Sequence, residues 1–142
     1  MVRRIVLDTS VVVAALRTRW GAGNAVLRFV ASRRLVPLAT PPLFLEYEEV
    51  LKRVEQRLAH GLDVEAVDEF LAEFAALIEP VDLHFRWRPQ SRDPNDEMLL
   101  ETAINGRADA LVTYNTSDFA MLHARFGIRV LTPTELLRRV KT

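Results

Sequence analysis

Four acidic residues follow apolar runs or stand early in predicted helices, and they are the main candidates for chemistry in this chain: Asp8, Glu46, Asp96 and Asp118. Asp8 directly follows the β-branched run Arg3–Leu7, and Asp118 comes soon after a second apolar run, Ala110–Thr113. Carboxylates that gather in one crevice raise one another's pKa values, and a divalent cation removes that penalty. The set therefore predicts a Mg²⁺ or Mn²⁺ site at which metal-activated water attacks a phosphodiester.

The remaining residue types narrow the choice of metal and of reaction. The chain has no cysteine, and its three histidines, His60, His84 and His123, lie far apart. Disulfide scaffolds, thiolate zinc sites, cysteine nucleophiles and histidine-rich zinc sites are therefore excluded. No lysine lies near the acidic motifs, which argues against a phosphoacceptor switch. Ser10 stands where a haloacid-dehalogenase-type phosphatase would carry its second Asp.

Length and composition favour one globular domain over residues 1–142. The 142 residues carry 19 basic and 19 acidic side chains, so the formal net charge is zero. That balance argues against a generic basic nucleic-acid binder but permits a localised site. No apolar stretch is long enough to span a membrane. Asp8 interrupts the apolar start, so we expect a mature N-terminus and a cytoplasmic protein with no membrane partner.

Short apolar runs alternate with helical patterns along the whole chain. The predicted strands are Arg3–Leu7, Leu35–Ala39, Val81–Phe85, Ala110–Thr113 and Ile128–Leu131. Wholly apolar strands between helices are typical of a parallel sheet covered on both faces. We therefore predict a three-layer α/β/α fold with a central parallel sheet of about five strands. Ligands of such sheets bind beyond the carboxyl ends of the strands, where the acidic residues lie.

Helix boundaries are predicted from turn and capping signals. Thr9 or Ser10 is expected to cap the first helix, and the Trp20–Gly23 stretch to break the chain before a helix over Ala25–Ala31. One further helix is expected from Leu43 to about Leu58, and Asp63 is expected to cap the helix after it. These expectations leave a simpler role open for each acidic residue, since an early helix position also suits a cap or a solvated side chain.

Four local strings carry a resemblance to a known family: IVLDTSVVVAAL at 5–16, PPLFLEYEEVLKR at 41–53, RDPNDEMLLETAING at 92–106 and LVTYNTSDF at 111–119. In order and spacing they resemble the PIN-domain ribonuclease family. The resemblance is closest to the toxin components of toxin–antitoxin systems, related to VapC toxins. It implies strand order 3-2-1-4-5 and a Mg²⁺- or Mn²⁺-dependent endoribonuclease that leaves 5′-phosphate and 3′-hydroxyl ends.

The resemblance also implies a role for each matching residue. The main metal ligands would be Asp8, Asp96 and Asp118, while Glu46 would orient or deprotonate the attacking water or bind a second ion. Asp93 would be a fifth acid or would support the others. The supporting polar residues would be Ser10, Thr113 and Asn115, and Ser10 stands where many relatives carry Asn.

Substrate and partners are expected to follow from the same resemblance. The chain has 17 arginines and only two lysines, and arginine suits bidentate phosphate binding. Arg17, Arg19 and Arg92 are the candidate RNA contacts, and Trp20 could stack on a base. The resemblance implies an RNA substrate, a cognate antitoxin protein and a homodimer. The alternative is a degenerate PIN module that binds RNA or a protein partner without cleavage.

Overall fold

Five parallel strands form one sheet within residues 1–84 and 94–140, which the computed structural model describes, Pro94 by its backbone only. They are β1 (Arg4–Leu7), β2 (Val36–Ala39), β3 (Glu79–Pro80), β4 (Ala110–Val112) and β5 (Arg129–Leu131). The spatial order is β3-β2-β1-β4-β5, so the predicted fold class and strand order are confirmed. The central strand β1 pairs with β2 through Arg4 and Val36, and with β4 through Leu7 and Val112.

Helices cover both faces of this sheet: α1 (Thr9–Arg17), α2 (Ala22–Ala31), α3 (Pro41–Leu51), α4 (Val54–His60), α5 (Val64–Leu77), α6 (Pro94–Gly106), α7 (Ala120–Phe126) and α8 (Pro133–Val140). The evidence for two covered faces is in β1, where Ile5, Val6 and Leu7 are all fully buried. Because successive side chains of a strand point to opposite faces, both faces must be packed. Within the described ranges, no helix is long and apolar enough to cross a membrane.

The single helix expected over Leu43–Leu58 is wrong, because the chain turns at Lys52 and Arg53 to form α3 and α4. Lys52 ends α3, and its Nζ pairs with Glu48 at 3.0 Å and with Asp68 of α5 at 2.6 Å. As a result, Leu58, which continues the apolar spacing in sequence, is 82% exposed. Apolar residues keep their helical spacing across this two-residue turn, so the spacing alone does not reveal where one helix ends and the next begins.

The predicted break at Trp20–Gly23 is too long, since α2 already begins at Ala22. Gly23 is there a packing residue rather than a breaker. A Cβ on Gly23 would lie 3.1 Å from the Val11 carbonyl oxygen and 3.3 Å from the Ala15 amide nitrogen. The glycine therefore lets α1 and α2 approach closely, which a local turn signal cannot distinguish from a loop.

The third strand also differs from its prediction. β3 lies at Glu79–Pro80, just before the expected Val81–Phe85, and Phe85 lies outside the described residues. Its partner is the end of β2, where Leu38 pairs with Glu79. A two-residue edge strand is too short to leave a periodic signal of its own, so its position was set by the pairing rather than by local sequence.

A reciprocal pair of hydrogen bonds caps the start of the last helix, α8. The Thr132 amide donates to Glu135 Oε1 at 3.0 Å, and the Glu135 amide donates to Thr132 Oγ1 at 3.2 Å. Hydrogen bonds from the Thr132 backbone and side chain to the Glu135 carboxylate are the main cause of a lowered pKa for Glu135, with smaller contributions from nearby Arg138 and Arg139.

Candidate active site

Asp8 is fixed at the carboxyl end of the central strand by hydrogen bonds from two directions. Its Oδ2 accepts from the Thr113 hydroxyl at 2.7 Å, and its Oδ1 accepts from the Ser10 amide at 3.3 Å. Its own amide donates to the Val112 carbonyl at 2.9 Å. Asp8 is therefore the N-cap of α1, which corrects the expectation of Thr9 or Ser10, and its carboxylate also joins the ends of β1 and β4.

Thr113 connects Asp8 to the loop that follows β4. The fully buried Thr113 side chain donates to Asp8, and its Oγ1 also accepts from the Asn115 amide at 3.1 Å. Asn115 itself is exposed and lies just before the short 3-10 turn Thr116–Phe119. Of the three predicted polar residues, Thr113 thus binds the Asp8 carboxylate by its side chain and Ser10 by its backbone amide, while Asn115 is linked to it only through Thr113.

Tyr47 supports the same strand end, and the sequence reasoning missed it by counting it only as part of an apolar helix face. This fully buried residue of α3 donates a hydrogen bond from its hydroxyl to the Leu7 carbonyl, one residue before Asp8. Burial, and secondarily the negative charge of Asp8, raise the pKa of Tyr47 above its usual range. The hydroxyl therefore stays protonated and acts as a donor. Sequence reasoning could have found this role, because a tyrosine on the buried face of a helix needs a hydrogen-bond partner for its hydroxyl.

Tyr47→Phe is expected to lower the free energy of unfolding by about 1–3 kcal/mol, because the Leu7 carbonyl loses its buried donor. Urea denaturation of the purified variant measures this change. Tyr114→Phe is the matched control, since Tyr114 is 48% exposed. Equal stability of Tyr47→Phe and the parent chain would show that the hydrogen bond does not hold the strand end.

A groove of about 360 Å³ lies beside the start of α1. Its lining combines α1, α3, α4 and the first turn of α6: Thr9, Ser10, Val13, Ala14, Arg17, Glu46, Val50, Arg53, Gln56 and Asn95. Arg17 donates to Gln56 Oε1 at 2.7 Å, and Arg53 donates to Glu49 Oε1 at 3.3 Å. The groove is therefore lined by the acidic Glu46 together with the basic Arg17 and Arg53.

Asp96 and Asp118 reach the same edge of the sheet from other elements. The half-buried Asp96 lies in the first turn of α6. The opposite end of this helix is near the start of β1, where Gly106 O accepts from Arg4 Nη2 at 2.6 Å. The exposed Asp118 lies in the 3-10 turn after β4, and its amide donates to the Asn115 carbonyl at 3.1 Å.

Two predicted site residues, Asp93 and Arg92, lie outside the described residues. Arg19 and Trp20 are exposed in the connection between α1 and α2, and Trp20 is 84% exposed. Neither residue lines the groove that contains Arg17. The structure therefore associates Arg17, but not Arg19, with the Glu46 side of the site.

The donor types suit a hard divalent cation, since they are carboxylate and hydroxyl oxygens rather than thiolates or imidazoles. Across residues 1–84 and 94–140, however, no three Asp, Glu or His side chains form a group that could hold a metal ion. The four predicted acids thus come from separate elements toward one edge of the sheet without forming an assembled centre there. Their chemistry fits the metal, and their roles as ligands stay a prediction.

The five-stranded parallel sheet and the acidic residues at its carboxyl edge place this chain among α/β proteins that bind ligands beyond the strand ends. The family model for the PIN domain matches residues 4–117, and the chain belongs to the PIN domain family. PIN domains are generally nucleases that typically use divalent metals, which indicates a nuclease-type function. The match includes Asp8, Glu46 and Asp96 and ends one residue before Asp118. No curated protein matches the chain.

Proposed function

We propose that this PIN domain is a metal-dependent endoribonuclease and the toxin of a toxin–antitoxin pair, related to VapC toxins. The observation that carries the proposal is the orientation of Asp8. Its carboxylate is held by Thr113 and the Ser10 amide at the end of the central strand, within the match to a nuclease family. An oriented carboxylate at this edge is what binding of a hard cation or a reacting water requires.

In this proposal Asp8, Asp96 and Asp118 hold the ion, and Glu46 orients the attacking water, removes its proton or binds a second ion. A bound Mg²⁺ or Mn²⁺ would supply a lowered pKa for water and positive charge for the phosphate. Thr113 occupies only one lone pair of Asp8 Oδ2, so this oxygen can still accept another ligand. Hydrolysis would leave 5′-phosphate and 3′-hydroxyl ends.

The groove beside Asp8 supports RNA as the substrate. Arg17 donates a hydrogen bond to the neutral Gln56, so its charge is not compensated by that partner. A guanidinium in this position can bind a backbone phosphate next to the bond that is cut. The exposed ring of Trp20 supports the predicted stacking on a base, and Arg19 and Arg92 remain proposed contacts.

The function is tested with purified protein and a single-stranded RNA labelled at one end. Cleavage in Mn²⁺ that stops in EDTA, with 5′-phosphate and 3′-hydroxyl ends, is the expected result. Cleavage that continues unchanged in EDTA would contradict metal dependence, and intact RNA in Mn²⁺ and Mg²⁺ alike would contradict the activity itself.

A module that binds RNA or a protein without cutting is the second candidate. This candidate is favoured because no three acidic side chains among the described residues lie close enough together to hold a metal ion. Metal binding by the folded chain separates the two candidates, because only a working metal site is stabilised by its ion.

Mn²⁺ is expected to raise the melting temperature by roughly 5–10 °C once its concentration is about a hundred times the dissociation constant. Thermal unfolding at increasing Mn²⁺ concentration measures the shift. Asp8→Asn should remove it, whereas Asp63→Asn should keep it. Asp63 is a matched control because it is also a helix N-cap, with its Oδ1 accepting from Ala66 N at 2.8 Å. No shift at millimolar Mn²⁺ would favour the non-catalytic module.

The proposed partners are an antitoxin and a second copy of the chain, in the cytoplasm. An uncontrolled ribonuclease harms its own cell, so an antitoxin would block the acidic edge with a basic side chain. The exposed apolar residues Leu45, Val54 and Leu58 on α3 and α4 support a homodimer. The antitoxin is tested by adding the protein encoded beside this chain, which should stop RNA cleavage. A monomer at micromolar concentration in a sizing experiment would contradict the dimer.

We also propose that residues 1–142 form a single domain, although the family match ends at 117. Helix α8, beyond the match, packs on the rest of the chain: Leu136 is fully buried, and Arg34 Nη2 donates to the Val140 carbonyl at 3.1 Å. One cooperative unfolding transition for the whole chain is expected, and two separate transitions would contradict it.

A further inference from the structure

We propose that a surface of six arginines, here called the arginine belt, is a second contact for single-stranded RNA and guides the strand to the acidic edge. The belt consists of exposed residues on α2, the turn after α2, β5, α8 and the N-terminal segment: Arg3, Arg28, Arg33, Arg34, Arg129 and Arg139. The inference rests on the proposed ribonuclease function and adds to it a binding surface away from the site of cleavage.

Three adjoining depressions make the belt continuous. The first, of about 480 Å³, contains Arg28 and Arg34, and the second, of about 320 Å³, contains Arg34 together with Arg3 and Arg33. Arg139 lines both the second depression and a third of about 620 Å³, which also contains Arg129. Because neighbouring depressions share an arginine, the cationic surface runs without interruption from α2 past α8 to β5.

The belt keeps most of its positive charge. In the described part of the chain, none of the six guanidinium groups forms an ion pair, whereas Arg4, Lys52 and Arg53 do. The Asp109 carboxylate near Arg3 forms no ion pair with the belt and accepts at Oδ2 from the amides of Arg3 and Arg4, at 3.0 and 2.8 Å. Such a surface attracts a polyanion and gains counterion release when phosphates bind.

Contacts within the protein restrain one arginine of the belt, Arg34, and an acidic residue that lines its third depression, Glu135. The guanidinium of Arg34 lies 4.9 Å from the centroid of the Phe29 ring and donates to the Val140 carbonyl, so it is held in place. Glu135 is the one carboxylate among the described residues that line the three depressions, and it is engaged in the cap with Thr132. A restrained guanidinium loses less freedom when it binds phosphate.

The direction of the belt connects it to the candidate site. Its third depression is lined by Thr116, which belongs to the same 3-10 turn as Asp118. The belt therefore runs from the amino-terminal side of the sheet, around the edge strand β5, to the carboxyl edge. Only a flexible strand can follow such a bent path over one small domain, which favours single-stranded RNA over a duplex.

A separate surface of the molecule, on helix α5, has the reverse charge. Helix α5 exposes four acidic residues, of which only Asp68 pairs with Lys52: Glu65, Asp68, Glu69 and Glu73. A polyanion approaching the protein is repelled there and by the acidic edge itself, so electrostatic steering favours the belt. The net charge of zero thus conceals two oppositely charged surfaces.

The test compares two double variants in an Asp8→Asn background, which prevents cleavage during the measurement. Arg33→Gln/Arg139→Gln removes two belt charges, and Arg107→Gln/Arg138→Gln is its matched control. Arg107 shares with Arg33 an exposed position and a positive φ, 50° against 64°. Arg138 is the neighbour of Arg139 in α8 and lines none of the three depressions. The two doubles therefore match in charge, backbone conformation and helix position.

Fluorescence anisotropy with labelled single-stranded RNAs of about 4 and about 16 nucleotides gives the binding constants. The belt double is expected to bind the longer RNA roughly ten-fold more weakly than the control double, with a salt slope smaller by about 1.4. The short RNA spans fewer belt arginines, so its affinity should differ less between the two doubles.

Equal binding of the longer RNA by the two doubles, while the parent chain cuts RNA, would overturn the belt and leave the proposed function standing. Polyglutamate is the acidic peptide used to test for a protein ligand. If Arg33→Gln/Arg139→Gln weakens binding of polyglutamate but leaves RNA affinity unchanged, the belt is not an RNA surface. A parent chain that neither binds nor cuts RNA would refute the proposed function itself.

Discussion

Asp8→Asn is expected to reduce Mn²⁺-dependent RNA cleavage by on the order of a hundred-fold or more while the chain stays folded. Asparagine has nearly the same size, and its side-chain oxygen can still accept from the Ser10 amide and cap α1. The substitution removes the negative charge that the Thr113 hydroxyl now orients. Activity is therefore lost through the charge and not through unfolding.

The measurement is the cleavage rate of a labelled single-stranded RNA at saturating Mn²⁺, with unfolding by urea recorded in parallel. Asp63→Asn makes the same chemical change at another helix N-cap and should keep the parent rate. If Asp8→Asn and the parent chain cut at equal rates, Asp8 is only the cap of α1 and the proposed mechanism is wrong. If neither chain cuts RNA, a non-catalytic PIN module is favoured.

Phe119→Ala is expected to lower the free energy of unfolding by about 3–5 kcal/mol, because it empties a large buried volume. Phe119 ends the 3-10 turn directly after Asp118 and is only 1% exposed. Domains of this kind are stable by about 5–15 kcal/mol, so the loss is a large part of the total. The anchored ring is also what holds the turn, and with it Asp118, against the core.

Urea denaturation compares this variant with Phe126→Ala, whose aromatic ring lies in the last turn of α7 and is 38% exposed. The control should lose clearly less stability, since part of its side chain already contacts water. Equal losses would mean that burial of Phe119 does not anchor the turn. The stabilisation of folded Phe119→Ala by Mn²⁺ is then compared with that of the parent chain. A smaller effect of Mn²⁺ on the variant would show that Asp118 has lost its position.

Much of the fold could be predicted from local patterns. The runs that became β1, β2, β4 and β5 are apolar and bounded by turn residues, and helices separate them. The cap at Asp63 and the stop at Gly61, which adopts φ 74°, follow from residue chemistry alone. Such signals are local, because a residue's own conformational preferences decide them.

Other features could not be predicted because they depend on which elements meet. The turn at Lys52 is stabilised by Asp68 of a different helix, and the start of α2 at Ala22 depends on the close approach of Gly23 to α1. β3 exists only through its pairing with β2. In each case the local pattern fits two structures, and a distant contact selects one of them.

The sequence by itself determined that acidic residues follow the strands of a parallel sheet, because strand and helix propensities and apolar spacing are properties of neighbouring residues. The tertiary structure decided what surrounds them. The Thr113–Asp8 and Tyr47–Leu7 hydrogen bonds join residues 105 and 40 positions apart, and the arginine belt combines both ends of the chain. Contacts over such separations arise only when the packed core brings the elements together, since no local preference encodes them.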